Sequence, residues 1–223
     1  QPMYTVYKAL TAVKLAESIE SRTGTRCIPI FWAASEDHDF EEAATAHFLT
    51  KKDEPYTLTY APESDVSGLP MYRVPLDTWI HDAIDCAARE VRKSEQSEKI
   101  ATFLHESASA SASLSEWSVR LLARMFRDTP LVLFAPHLPE ARAIQADVMR
   151  EEIQDPLETV CRLNAAGTAL SRLGFSPQIT KAGDECSFFL EVEGRRRKVL
   201  FHENQFHLCL LYTSDAADEE DSV

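Results

Sequence analysis

The chain has 223 residues, with 23 Lys and Arg against 36 Asp and Glu for a net charge of −13, and 44% of its residues are apolar. That balance argues against a phosphate-backbone binder, and the composition is that of a globular domain able to bury a core. The longest apolar runs, residues 27–34 and 131–136, fall well short of the roughly 18 residues a membrane-spanning helix needs. The first residues carry no secretory signal, and five scattered cysteines without a CxxC pair indicate neither a disulfide framework nor a zinc knuckle, so a reducing cytoplasm is expected.

Met3, Val6, Tyr7, Leu10 and Val13 recur at helical spacing, and Gly24 stands just past the end of that pattern. The run Cys27-Ile28-Pro29-Ile30-Phe31-Trp32-Ala33-Ala34 has no polar alternation, as in a strand buried on both faces. It is followed by Ser35, Glu36, Asp37, His38, Asp39, Phe40, Glu41 and Glu42, a loop running into a short helix. From residue 45 to residue 75 Tyr56, Leu58 and Tyr60 alternate with threonines among prolines, which predicts a β-rich excursion. Helices are expected over residues 77–92, 95–106 and 114–126. The serine-alanine run 107–113 between the last two reads as a flexible turn, with Ser113 and Glu116 as a capping box. A second buried strand is expected at residues 131–136, then helices over 139–153 and 157–173. Short strands at 178–180, 187–193 and 198–201 follow, the last two joined across Gly194-Arg195.

In parallel α/β sheets ligands bind beyond the carboxyl ends of strands. Glu36, Asp37, His38 and Asp39 occupy such a position, and three carboxylates around one imidazole call for a metal, an ammonium group or backbone donors. His38 could pass a proton or contact a phosphate, Asp37 or Asp39 could hold an amine or Mg²⁺, and Glu36 could act as a base. A purely structural arrangement also satisfies the pattern: Asp39 as the N-cap of a helix with Glu42 three residues on, and His38 half-buried against Asp37. Tyr4 and Lys8, at i and i+4 on the first helix, could line an anion pocket with Thr5. His47, His81, His105 and His137 have no metal-ligand spacing and are expected to be non-catalytic. Arg195, Arg196 and Arg197 read as a solvated hairpin tip.

Residues 2–16 together with the segment Ile28-Pro29-Ile30-Phe31-Trp32-Ala33-Ala34-Ser35-Glu36-Asp37-His38-Asp39-Phe40-Glu41-Glu42 resemble the bacillithiol biosynthesis cysteine-adding enzyme family, BshC. Leu131-Val132-Leu133-Phe134, Asp155-Pro156 and Leu173-Gly174-Phe175-Ser176-Pro177-Gln178 carry the resemblance on to about residue 207. It implies a Rossmann-like, nucleotidylyl-transferase-like α/β fold with a parallel-sheet core, an inserted β-rich then helical segment, and a truncated chain. The expected divisions are residues 1–50 and 131–208 for the core, 51–130 for the insertion, and 209–223 as a non-native, adapter-derived tail. The implied reaction joins the carboxyl of cysteine to the amino group of glucosaminyl malate, the last step of bacillithiol formation. Under that resemblance Glu36, Asp37, His38 and Asp39 face the reacting groups, while Tyr4, Thr5, Lys8 and Ser35 lie near nucleotide or substrate. No metal site is assigned. The activating donor stays open, ATP or another nucleotide with Mg²⁺ being the candidates. Full-length members pair through a coiled coil. In the family a glycine-rich loop precedes the first helix, where this chain opens at Gln1-Pro2, so an incomplete pocket and an inactive fragment are expected. The alternatives are a metal-dependent phosphoesterase using Asp37, His38 and Asp39, or a non-catalytic binding module.

Overall fold

Helix α1 (Pro2–Thr23) ends where predicted: Gly24 takes a φ of 69° and returns its N–H to Glu20 O at 2.8 Å. The buried stripe, however, runs through Val6, Ala9, Val13 and Ala16, whereas Met3, Tyr7 and Leu10 are exposed. Both stripes share Val6 and Val13. The one carrying alanines wins because small side chains let the helix lie close to the sheet beneath it. The computed structural model describes residues 2–209.

Strands β1 (Ile30–Trp32) and β4 (Val132–Phe134) pair in parallel, with Ile30 opposite Val132, Phe31 opposite Leu133 and Trp32 opposite Phe134. The ladder extends one bond each way, Val132 N–H to Pro29 O and Ala33 N–H to Phe134 O, both 2.9 Å. Phe31 and Leu133 pack on Ala9, Val13, Leu122 and Phe126. The expectation that both strand faces are buried is corrected here. Ile30 and Trp32 are 59% and 57% exposed, and Val132 and the ring pair Trp32–Phe134, centroids 4.6 Å apart, share that open face. An apolar run reports two apolar faces, but helices of the described residues cover only one of them.

Between the paired strands lie α2 (Phe40–Ala44), the hairpin of β2 (Thr45–Leu49) and β3 (Pro55–Thr59), and the helices α3 (Trp79–Glu90), α4 (Ser97–Ser109) and α5 (Leu114–Met125). The predicted β-rich excursion is this hairpin. A second core forms from Ala44, Tyr60, Ile80, Ala83, Ile84 and Ala108, with Trp79, Leu104 and Trp117 packed on it. A strap, residues 70–77, ties the segment together. Tyr60 O–H donates to Pro75 O at 2.9 Å and accepts from Asp77 N–H at 3.0 Å, and burial pushes its phenol up to about 12.

The serine-alanine run is a turn only in its second half, residues 110–112, and its first half belongs to a helix. Helix α4 continues to Ser109, Ser107 and Ala108 are buried, and Ser107 Oγ accepts from Trp117 Nε1 at 3.0 Å. Alanine is the best helix former and serine a tolerable one, so low complexity here hides a packed helical end. The cap forms with its return bond shifted by one residue: Glu116 N–H bonds Ser113 Oγ at 3.2 Å, and Glu116 Oε2 accepts from Ala112 N–H, the residue before the N-cap, at 2.9 Å.

Helices α6 (Pro139–Gln154) and α7 (Glu158–Arg172) precede an antiparallel meander of β5 (Glu185–Val192), β6 (Arg195–His202) and β7 (Gln205–Leu208). Both hairpins turn on two residues with positive φ, Glu193-Gly194 and Glu203-Asn204, the type I′ geometry that suits strand twist. The strand expected at residues 178–180 is absent, and β7 replaces it as the third member. Arg195, Arg196 and Arg197 lie within β6, with Arg196 over the Phe189 ring at 3.6 Å, rather than at a solvated tip. A partly buried ion pair, Lys181 to Glu185 at 2.7 Å, sits under this sheet, and burial raises the Cys186 thiol beside it.

The chain divides into two compact units, Gln1–Ala141 and Arg142–Val223. The five cysteines are free thiols. Among the described residues no helix is long and apolar enough to cross a membrane. The reading of residues 209–223 as a foreign tail falls, apart from Cys209, outside the described residues.

Candidate functional site

The site is built where the two parallel strands end. After β1 the chain turns tightly, Ser35 N–H returning to Ala33 O at 2.8 Å and Asp37 N–H to Ala34 O at 3.3 Å. Ser35 is 1% exposed, and its Oγ shares a 2.8 Å hydrogen bond with His137 Nδ1, three residues beyond the end of β4. The loops following the two neighbouring strands are thus joined by side chains 102 residues apart. The His137 ring stacks on Tyr72, centroids 4.7 Å apart and planes within 13°, and Arg73 lies over the same Tyr72 ring at 5.3 Å. Tyr72 N–H bonds Ser35 O at 2.8 Å and Met71 N–H bonds Asp37 O at 2.7 Å, so the strap fixes the loop from the side.

Within the loop, Asp37 Oδ1 accepts from His38 N–H at 2.8 Å and lies 3.7 Å from His38 Nδ1. The His38 side chain is 15% exposed against 49% for Asp37, which presents the carboxylate to solvent and tucks the imidazole in. Asp39 caps α2, its Oδ1 accepting from Glu42 N–H at 3.2 Å. The structural alternatives for Asp39 and His38 are therefore realised, and of the four residues Asp37 is the exposed one, with Glu36 half-buried beside it. Burial, and then the hydrogen bond with Asp39, raise the Glu42 carboxyl above its usual range. The arrangement supplies a carboxylate, two imidazoles and a guanidinium around the ends of β1 and β4, a set able to hold an amine on one side and an anion on the other.

Tyr4 and Lys8 meet as their spacing requires, Lys8 Nζ standing 4.1 Å from the centroid of the Tyr4 ring. Among the described residues neither they nor Thr5 make a hydrogen bond, ion pair or ring contact with Glu36, Asp37, His38 or Asp39. Ser35, expected near substrate, spends its hydroxyl on His137 and works on the loop's shape. Sequence reasoning passed over His137, Tyr72 and Arg73. The signal for His137 was its position, since it follows the second apolar strand as Ser35 follows the first. No group of three or more His, Cys, Asp or Glu among the described residues is placed to hold a metal ion.

The family described as bacillithiol biosynthesis BshC, N-terminal Rossmann-like domain, matches residues 1–213. The chain belongs to this family. Among curated relatives, the BshC protein of Salinibacter ruber is 32% identical over 207 residues, covering 93% of this chain and 38% of its own. Those of Heliobacterium modesticaldum and Symbiobacterium thermophilum are 30% and 28% identical, each covering 89% of this chain and 37% and 38% of theirs. All three carry the name cysteine ligase BshC, given provisionally. The chain spans under two-fifths of the length of these relatives. Rossmann-like membership agrees with the parallel β1–β4 pair and its flanking helices. The family assignment does not favour the phosphoesterase alternative.

Proposed function

We propose that this chain supplies the Rossmann-like part of a cytoplasmic ligase that joins the carboxyl of cysteine to the amino group of glucosaminyl malate, giving bacillithiol. The family match supports the reaction class, and the Ser35–His137 bond, which unites the carboxyl ends of β1 and β4, supports the location. Residues 51–130 form an insertion in the core, and paired full-length members complete the pocket.

Condensing a carboxylate with an amine loses the elements of water, so the carboxylate oxygen must leave as part of a better leaving group. The fold class supports activation as an acyl-nucleotide, an acyl-adenylate where ATP is the donor: pyrophosphate leaves as the carboxylate is activated and the nucleoside monophosphate leaves as the amide forms, with Mg²⁺ accompanying the nucleotide. In this reading Asp37 holds the attacking ammonium group and, with Glu36, takes its proton as the amide forms. His38 is kept in place by Asp37, while His137 and Arg73 stand on the side that receives carboxylate or phosphate oxygens. Tyr4, Thr5 and Lys8 contribute to nucleotide binding from α1. Alone, the chain binds without turnover.

Full-length Salinibacter ruber relative, given cysteine, glucosaminyl malate and ATP, is expected to release bacillithiol detectable as a new thiol of the summed mass less water. No product with any nucleoside triphosphate would rule the reaction out. Titration calorimetry on the present chain with ATP and with cysteine tests binding separately.

A further inference from the structure

Helices α3 and α4 carry a second cluster of titratable groups, away from the strand ends. His81 and Asp85 lie one turn apart on α3, and His105 faces them from α4. His105 Nε2 is 2.9 Å from Asp85 Oδ1, and His105 Nδ1 is 2.8 Å from His81 Nδ1. The two rings are within 8° of parallel, with centroids 5.1 Å apart. A centroid distance that long beside so short an Nδ1–Nδ1 distance means the rings meet edge to edge in nearly one plane. The two nitrogens point at each other along the line between the rings, the geometry of a straight hydrogen bond. It is a poor one for two ligands of one metal ion, whose lone pairs would have to converge on a point off that line.

We infer that Asp85, His105 and His81 form an acid-released latch between α3 and α4, with a gap that holds one proton. An ionised carboxylate only accepts, so His105 carries hydrogen on Nε2 and, while neutral, accepts at Nδ1 from the Nδ1–H of His81. One further proton enters at His81 Nε2 and leaves every bond in place, giving a cation aimed through His105 at Asp85. A second must go to His105 Nδ1, where a proton already stands; the bond is lost and two cations face each other. Of the charged groups on the two helices, Asp82 and Glu106 are next in sequence to the two histidines, and Asp85 touches the pair. Helix α5 packs on the other side of α4, through Phe103 and Ser107, so Glu116, Arg120 and Arg124 do not face the latch. The latch joins α3, into which the strap runs, to α4, whose connection to α5 holds the strap through Leu114 N–H to Val74 O and Leu76 N–H to Ala112 O. The latch does not depend on the ligase reading.

The test is a double-mutant cycle on the whole chain, His81→Ala, His105→Ala and the pair, by urea unfolding at about pH 7.5 and about pH 4.5, on either side of the ordinary imidazole range. Favourable coupling of roughly fivefold in the folding constant is expected at the higher pH, and none or an unfavourable coupling at the lower, where two cations meet. Coupling absent at the higher pH, or equal at both, overturns the latch. Should a variant fail to fold, ¹⁵N-resolved imidazole spectra of the wild-type chain decide. One shared Nδ1–H signal that disappears as the second proton binds supports it, and two independently titrating rings contradict it.

Discussion

At the scale of single residues, hydrogen bonds to side chains decide several local outcomes. The Glu116 carboxyl is held below its usual range, first by the Ala112 N–H and then by Arg120, whose guanidinium lies 2.7 Å away. A carboxyl lowered on folding stabilises the protein above its unfolded pKa, and that contribution is lost as pH falls through the folded value. Ser113→Ala and Glu116→Gln should each cost about 1 kcal/mol near pH 7 by urea unfolding, and the cost of Glu116→Gln should fade at acid pH. Tyr60 shows the opposite sign. Its pKa is raised on folding to about 12, so the stability it brings is complete below about pH 10 and declines toward pH 12. Tyr60→Phe strands Pro75 O and Asp77 N–H and is expected to cost about 1 to 3 kcal/mol at neutral pH, while removing that alkaline decline.

At the scale of elements, helix periodicity and stop signals made α1, α3, α5, α6 and α7 readable in the sequence to within a few residues. Turn chemistry marked the β5–β6 hairpin. Two features were illegible for physical reasons, and a third in part. The end of α4 looked like a linker because composition was read where packing decides, through Ser107 against Trp117. Ser107→Ala, which leaves Trp117 Nε1–H without its acceptor, is therefore expected to cost about 1 to 3 kcal/mol, measured by thermal or urea unfolding; a linker would tolerate it. Strand β7 was missed because Glu203-Asn204 is a weaker turn signal than Gly194. The candidate site was half legible. Its first loop announces itself in consecutive residues, but His137 and the strap reach it only through strand pairing over long sequence separations, which no local pattern reports.

At the scale of the whole molecule, the β1–β4 pair carries one covered and one open face. A contiguous exposed apolar patch marks a surface on which something further can pack. The chain spans under two-fifths of the length of these curated relatives. On this chain, Phe31→Ala should cost about 3 kcal/mol because Phe31 packs against α1 and α5, whereas Trp32→Gln should change stability by less than about 0.5 kcal/mol and reduce binding of a hydrophobic dye. Equal costs at the two positions would show the second face to be covered as well. The proposed role of the loop after β1 is tested by cysteine addition in the full-length Salinibacter ruber relative, with Asp37→Asn and His38→Ala placed at the aligned positions. A loss of kcat/KM of about 100-fold or more is expected for Asp37→Asn with folding intact, in the range that a group handling protons contributes. Wild-type turnover by both variants would contradict it.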